Sequence, residues 1–220
     1  MGKALAAWLM VAGAMAASAA SPREVVQSAV KRVIVVLQQQ ESDRSESEAG
    51  ARLSVERHRA EIRRIAGDLF DFDDMARRTL SRHWTARTSE EQAEFVRLFT
   101  ALLERSYIGR IEAYSGEKIA YVGETIEEGY ATVRSKVLTG KRTETSVDYR
   151  LQLRDNRWKV YDVLVDGVSF VSTYRSEFSR IIQKSSYAAL ADKLRKRAID
   201  TAVLDRGARP TTVAAPRVTN

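Results

Sequence analysis

The sequence predicts an α+β fold, in which helices from both ends of the chain cup a curved antiparallel sheet of about four strands. Apolar residues recur at helical spacing up to about residue 111, then alternate with period two between about 118 and 165, and then return to helical spacing. The connections between the predicted strands are short, which indicates an antiparallel meander. A sheet covered by helices in this way commonly leaves a cavity between the two layers.

The N-terminal half is predicted to be helical. Apolar residues at helical spacing predict a helix over 22–40, a polar loop over 41–52 and a second helix over about 55–69. Asp73 or Asp74 is predicted to cap a short helix. Ser89 and Gln92 have the spacing of a capping box, which would open a long helix ending near Ile111. The apolar surface of that helix is wide enough to contact more than one layer.

The sheet and the last helices follow. The predicted strands are 118–124, 130–138, 145–154 and 157–165. Asp155 and Asn156 form the predicted tip of the hairpin between the last two strands. Tyr174 and Phe178 share one face of a following helix, and Leu190 and Leu194 continue in another.

The two ends of the chain are predicted to lie outside the domain. Residues 1–19 combine an early Lys3, an apolar run rich in small residues and an A-x-A site at Ala17–Ala19, which predicts a secretory signal peptide. An uncleaved membrane anchor is the alternative. Residues 20–200 are predicted to form a single domain, and 201–220 a disordered tail.

Composition excludes several classes of function. The net charge is +7, but basic and acidic residues alternate, as in ERHRAEIRR, which argues against a nucleic-acid-binding face. The net positive charge predicts a modest attraction to anionic membrane surfaces. The absence of cysteine excludes disulfides, thiolate catalysis and cysteine-bound metals.

Few side chains offer reactive chemistry. His58 lies in an Arg- and Glu-rich segment and is predicted to be solvated, and His83 is predicted to be structural. The carboxylates of FDFDD, at Asp71, Asp73 and Asp74, lack the remaining EF-hand ligands, and capping of the next helix is their predicted role. We therefore predict no metal site and no catalytic residue.

Asp162 is the one carboxylate in an apolar strand. Regular alternation would place it on the same face as Trp158, Val160 and Leu164. It could be a general base in an NTF2-like cavity, or a structural acceptor of hydrogen bonds. We predict the structural role, with Asp162 tying the sheet to the helix that carries Arg175.

The sequence resembles the MlaC-like family of periplasmic phospholipid-binding proteins, also called toluene-tolerance auxiliary transport proteins. The resemblance rests on FDFDDMARRTLSRHW (70–84), SEEQAEFVRLFTALLERSYIGRIEAYSGEKI (89–119), VDYRL (147–151) and WKVYDVLVDGVSFVSTYRSEFSRII (158–182), and runs from about residue 22 to 197. Ser81 stands where the family usually has glycine, and His83 where it usually has tyrosine.

The resemblance implies a non-enzymatic periplasmic carrier, without a cofactor, that supports outer-membrane lipid asymmetry. Such a carrier holds phospholipid acyl chains in an NTF2-like cavity and leaves the headgroup toward solvent. The implied partners are an inner-membrane ABC transporter with its MCE-type periplasmic subunit and an outer-membrane lipoprotein complex, with no nucleic acid. The alternatives are a hopanoid or other lipid carrier of the same fold, and a small NTF2-like enzyme that uses Asp162.

We expect large apolar side chains to contact the acyl chains, and Arg78 and Arg175 to meet the headgroup. The expected acyl-chain contacts are Phe72, Met75, Trp84, Phe95, Phe99, Leu102, Leu103, Tyr107, Tyr149, Leu151, Val163, Val165, Val168, Phe170, Tyr174 and Phe178.

Overall fold

The structure is a computed structural model that describes residues 20–42, 48–138 and 144–199. The helices are α1 (Pro22–Ser42), α2 (Glu48–Leu69), α3 (Phe72–Leu80), α4 (Ser89–Glu112), α5 (Phe170–Lys184) and α6 (Tyr187–Arg195), with a 3-10 turn at Ser81–His83. The strands are β1 (Lys118–Glu127), β2 (Tyr130–Leu138), β3 (Glu144–Arg154), β4 (Arg157–Val165) and the short β5 (Val168–Ser169). The predicted α+β order is confirmed. The predicted signal peptide and tail lie outside the described residues.

Three details of the helices differ from the predictions. Helix α2 begins at Glu48, inside the segment that was predicted to be a loop. Helix α3 is capped by Asp71, whose side chain accepts the backbone N–H of Asp74 at 2.9 Å. The capping box of α4 is formed by Thr88 and Glu91, because the charged Glu91 carboxylate is a stronger acceptor at a helix N-terminus than an amide.

The strands form one antiparallel sheet in the order β1-β2-β3-β4-β5. Asp155 and Asn156 form the tip of the β3–β4 hairpin, with φ values of 47° and 59°. Positive φ at both central residues is what a two-residue hairpin turn of type I′ requires. The predicted meander and this hairpin are confirmed.

A β-bulge interrupts the alternation of β4. Val160 lies opposite Leu151, but Asp162 lies opposite the adjacent residue Arg150, so Tyr161 is an extra residue in β4. Neighbouring residues of β3 point to opposite faces of the sheet, and therefore so do Val160 and Asp162. The prediction that Asp162 shares a face with Trp158 and Val160 is wrong, because the bulge reverses the alternation between them.

The buried apolar residues form two clusters. The first, which we call the helical cluster, is built by α3, α4, α5 and α6 around Phe95, Phe99, Leu102, Tyr174 and Phe178. The second, which we call the sheet layer, lies between the sheet and α1 and α2. It includes Val26, Ile65, Val133, Leu151 and Val160.

His58 belongs to the buried side of α2. Its side chain is 5% exposed, and its Nδ1 lies 3.3 Å from the Ser54 Oγ. The prediction of a solvated histidine is wrong because the residues at helical spacing from His58, namely Ile62, Ile65 and Leu69, all face the core. The Arg and Glu neighbours that suggested exposure lie on the other sides of the helix.

Candidate lipid-binding layer

The candidate binding region is the sheet layer, because many of its apolar side chains are only partly buried. Side chains of α1, the end of α4, the sheet, the start of α5 and the segments that follow α2 and α4 pack against it without being fully enclosed. They are Val25, Val30, Val33, Phe70, Ile108, Ile111, Tyr114, Tyr121, Val147, Tyr149, Trp158, Val165 and Phe170. A layer of partly buried apolar residues is suited to binding an apolar molecule.

Two tyrosines bring polar groups into the sheet layer. Burial raises the pKa of the Tyr149 phenol, and the nearby Tyr121 raises it further. Burial also raises the pKa of Tyr121, which the Arg23 charge offsets only in part. The Tyr121 hydroxyl is buried and has no hydrogen-bond partner in the described part of the chain. A buried hydroxyl without a partner costs about 1–3 kcal/mol, so the layer holds a polar group that a ligand could satisfy.

The structure divides the expected acyl-chain contacts between the two clusters. Those in or against the helical cluster are Phe72, Met75, Trp84, Phe95, Phe99, Leu102, Leu103, Tyr107, Tyr174 and Phe178. Those in or against the sheet layer are Tyr149, Leu151, Val163, Val165 and Phe170. Val168 is half-buried on β5 and belongs to neither cluster.

The helical cluster is filled by its own side chains. Phe95 and Phe178 meet edge to face with ring centroids 5.7 Å apart, and Phe99 and Tyr174 do so at 5.6 Å. All four side chains have no exposed surface. Such packing is typical of a structural core.

Helix α4 joins the two clusters. Phe95–Leu103 contributes to the helical cluster, whereas Ile108 and Ile111 reach the sheet layer. The prediction that its wide apolar surface contacts more than one layer is therefore confirmed. Tyr121, Ile108 and Ile111 were absent from the expected contacts, although alternation in 118–124 and the i, i+3 spacing of the two isoleucines were visible signals.

Asp162 holds the start of α5 against the sheet. Its Oδ1 accepts the backbone N–H of Val171 at 3.0 Å, and its Oδ2 accepts the Ser169 hydroxyl at 2.6 Å. Arg150 Nη1 lies 3.6 Å from the same Oδ2. The predicted link between the sheet and this helix is confirmed. Arg175 is not the partner, since its guanidinium contacts Ser172 at 3.3 Å instead.

The two arginines expected at the headgroup lie in different surroundings. Arg78 binds the buried Asp74, and its guanidinium carbon lies 4.2 Å from the centre of the Tyr161 ring. Arg175 is exposed on α5. Two of the three FDFDD carboxylates are paired with arginines: Arg154 Nη1 lies 2.6 Å from Asp71 Oδ2, and Asp74 binds both Arg77 and Arg78.

The described ranges contain neither a cluster of metal ligands nor a membrane-spanning helix. No group of three or more His, Cys, Asp or Glu side chains in residues 20–42, 48–138 and 144–199 is arranged to hold a metal ion. Within the same ranges, no helix has the length and apolarity needed to cross a membrane.

Comparison with known proteins identifies the family. The family model for the MlaC protein matches residues 27–196, which is most of the chain. This chain belongs to the MlaC family. Its fold is that of a phospholipid-binding protein from Ralstonia solanacearum, whose structure was solved in complex with a phospholipid. The TM-score is 0.68 at 24% sequence identity, and the match covers 83% of this chain and 99% of that one.

Curated relatives match over a shorter region. The toluene tolerance protein ttg2D of Pseudomonas putida is 24% identical over 126 residues, or 56% of this chain and 59% of the relative. The intermembrane phospholipid transport system binding protein MlaC of Haemophilus influenzae is 22% identical over 126 residues, or 55% of this chain and 59% of that protein. The chain thus spans about six tenths of the length of these relatives.

Proposed function

We propose that this protein is a periplasmic lipid carrier, which holds the acyl chains of a phospholipid in the sheet layer and shuttles the lipid between membrane complexes. The observation that carries the proposal is the partly buried apolar layer between the sheet and α1 and α2 in a chain of the MlaC family. The phospholipid bound by the Ralstonia protein of the same fold supports it. The proposed partners are an inner-membrane ABC transporter with its MCE-type subunit and an outer-membrane lipoprotein complex.

The energetics suit a carrier. Each methylene group costs about 0.8 kcal/mol to expose to water, so a free diacyl lipid crosses an aqueous space extremely slowly. An apolar layer replaces the bilayer as solvent and removes most of that cost. The partly buried side chains of the layer already leave surface for the acyl chains to cover. We propose that the free Tyr121 hydroxyl bonds to an oxygen of the lipid, such as an ester carbonyl.

This function requires no catalytic residue. The carboxylate that could have served as a base, Asp162, is 3% exposed and already accepts hydrogen bonds from Val171 and Ser169. The β4 bulge also turns it away from the face that carries Val160 and the sheet layer. A carrier is therefore favoured over an NTF2-like enzyme.

The proposal is tested by native mass spectrometry of protein purified from cells without detergent, with lipid extraction from the same sample. We expect adducts of phospholipid mass at close to one lipid per protein. Adducts of hopanoid mass would overturn the phospholipid assignment while retaining a lipid carrier. Protein without any lipid adduct would contradict the carrier proposal.

A matched pair of variants tests whether the lipid binds in the sheet layer. Val147→Trp adds a large ring to the sheet layer, whereas Val122→Trp makes the same change at a β1 side chain that is 55% exposed. We expect Val147→Trp to lower the lipid load at least severalfold and Val122→Trp to leave it unchanged. Equal loads in the two variants would place the cargo outside the sheet layer.

A further inference from the structure

A basic pocket lies between the Ser81–His83 turn and α5. Its volume is about 400 Å³. The pocket is lined by Leu80, Ser81, Arg82, His83, Arg175, Ser176, Ser179, Arg180 and Gln183. None of these residues belongs to the sheet layer.

Positive charge in this pocket is not neutralised by the protein. No Asp or Glu lines it, and neither Arg82 nor Arg175 pairs with a carboxylate in the described part of the chain. Arg180 differs, because Glu177 binds it at 2.5 Å. Other arginines of the fold, such as Arg77 and Arg154, are paired with buried carboxylates. Two guanidinium groups therefore face the pocket without a counter-charge.

His83 lines the pocket beside Arg82. Burial lowers the pKa of the His83 imidazole, and the charges of Arg82 and Arg87 lower it further. In its neutral form the ring can accept a hydrogen bond, and Arg82 Nε donates to His83 Nε2 at 3.5 Å. This contact orients the Arg82 guanidinium. Ser172 accepts a hydrogen bond from Arg175 at 3.3 Å and orients the second guanidinium.

The wall of the pocket contains a strained residue. Ser81 has φ 50° and ψ −122°, a conformation that side-chain-bearing residues rarely adopt. Its backbone is held at both ends, because its N–H donates to Arg77 O and its carbonyl accepts from Trp84 N at 3.0 Å. Strain of this kind is concentrated at functional sites. The exposed Ser81 and the adjacent Arg82 both line the pocket.

We propose that this pocket is a binding site for a phosphate group. Two unpaired guanidinium groups supply forked, charge-assisted donors that match phosphate oxygens. The Ser179 hydroxyl accepts from Gln183 Nε2 at 3.2 Å and so keeps its own proton available to donate. Donors from three residues that line one pocket suit an anion with several oxygens. The phosphate can be a free anion or part of a lipid headgroup at a membrane surface.

The test is a nuclear magnetic resonance titration of protein purified from cells that express the full chain. Inorganic phosphate is added at constant ionic strength against chloride. We expect saturable shifts confined to the 81–83 turn and to residues 172–183. A second titration uses vesicles of phosphatidylglycerol in phosphatidylcholine. Saturation by free phosphate alone assigns the site to a soluble anion, and saturation by vesicles but not by phosphate assigns it to a headgroup.

Substitutions of the two arginines test whether the phosphate binds in this pocket. Arg82→Ala and Arg175→Ala should each weaken binding by about tenfold or more, since each removes a charge-assisted hydrogen bond. The control Arg97→Ala/Lys193→Ala removes two exposed positive charges elsewhere and should leave the affinity unchanged. Shifts that do not saturate with either probe, or equal weakening by the control, would overturn the proposal. Circular dichroism confirms that each variant is folded.

Discussion

The helical cluster and the sheet layer are both apolar, yet they are packed differently. Phe95, Phe99, Tyr174 and Phe178 of the helical cluster are 0% exposed and interlock ring against ring. Tyr121 and Tyr149 of the sheet layer keep accessible surface, and the Tyr121 hydroxyl is unpaired. The comparison supports a division of labour under the proposed function, in which the helical cluster stabilises the fold and the partly buried border of the sheet layer leaves surface for cargo.

We expect substitutions in the helical cluster to lower the stability of the fold more than any others. Phe99→Ala removes a fully buried ring and should lower the free energy of unfolding by about 3–5 kcal/mol. The measurement is urea unfolding with linear extrapolation, on protein stripped of any bound lipid. The matched variant Phe170→Ala removes the same ring from a half-buried position against the sheet layer and should cost about 1–2 kcal/mol, because its site is already partly open. Similar costs at the two sites would contradict the division of labour.

The second largest loss of stability is expected where Asp162 connects the sheet to the start of α5. Asp162→Ala leaves the buried Val171 N–H and the Ser169 hydroxyl without their acceptor, and we expect a loss of about 2–3 kcal/mol in urea unfolding. The control is Asp148→Ala on β3, where the side chain is half-buried. It should change stability by less than about 0.5 kcal/mol. If Asp162→Ala were as mild as the control, the anchoring role of Asp162 would be wrong.

The smallest expected loss of stability concerns the carboxylates of FDFDD, where a buried and an exposed aspartate can be compared. Burial would raise the pKa of Asp74, but hydrogen bonds and charges from Arg78 and Arg77 outweigh it and lower the pKa below its ordinary value. Because the folded-state pKa is depressed, this contribution is present above the unfolded pKa of about 4 and is lost as the pH falls through the folded value.

Asp74→Asn should therefore cost about 1–2 kcal/mol at pH 7 and flatten the decline in stability below about pH 4. The exposed neighbour Asp73 provides the control, and Asp73→Asn should do neither. The measurement is urea unfolding as a function of pH. An unchanged acid slope in Asp74→Asn would show that other carboxylates govern the decline.

Periodicity, with capping and turn signals, was sufficient for the helices and for four of the five strands of the described ranges, but not for the start of α2, the end of β1 or the short β5. The helical spacing in 22–40 and the alternation in 130–138 correspond to α1 and β2, because one buried face imposes its period on the sequence. The family resemblance was also readable from the sequence, and the family model confirms it over residues 27–196. Local signals were weaker where two residues offered the same chemistry, as for Thr88 and Ser89 at the start of α4.

The candidate site was only partly predictable. Tyr149, Leu151 and Val163 were expected to contact cargo and lie in the sheet layer, whereas Phe95 and Phe178 lie in the helical cluster. The apolar character of these residues was the only basis for the prediction. It does not show whether a side chain packs against other helices or against the sheet. His58 was misassigned for a different reason. Its charged neighbours in the sequence suggested exposure, although His58 itself lies on the buried face of α2.

The sequence by itself therefore determined the order of helices and strands, the family and the scarcity of reactive groups, since these depend on residue type and spacing. The tertiary structure alone decided the orientation of Asp162, through the extra residue Tyr161 in β4. It also decided which apolar residues form a closed core, and it brought Arg82 together with Arg175 from distant parts of the chain. These features depend on strand register and helix packing, which contacts between distant residues select from many local possibilities.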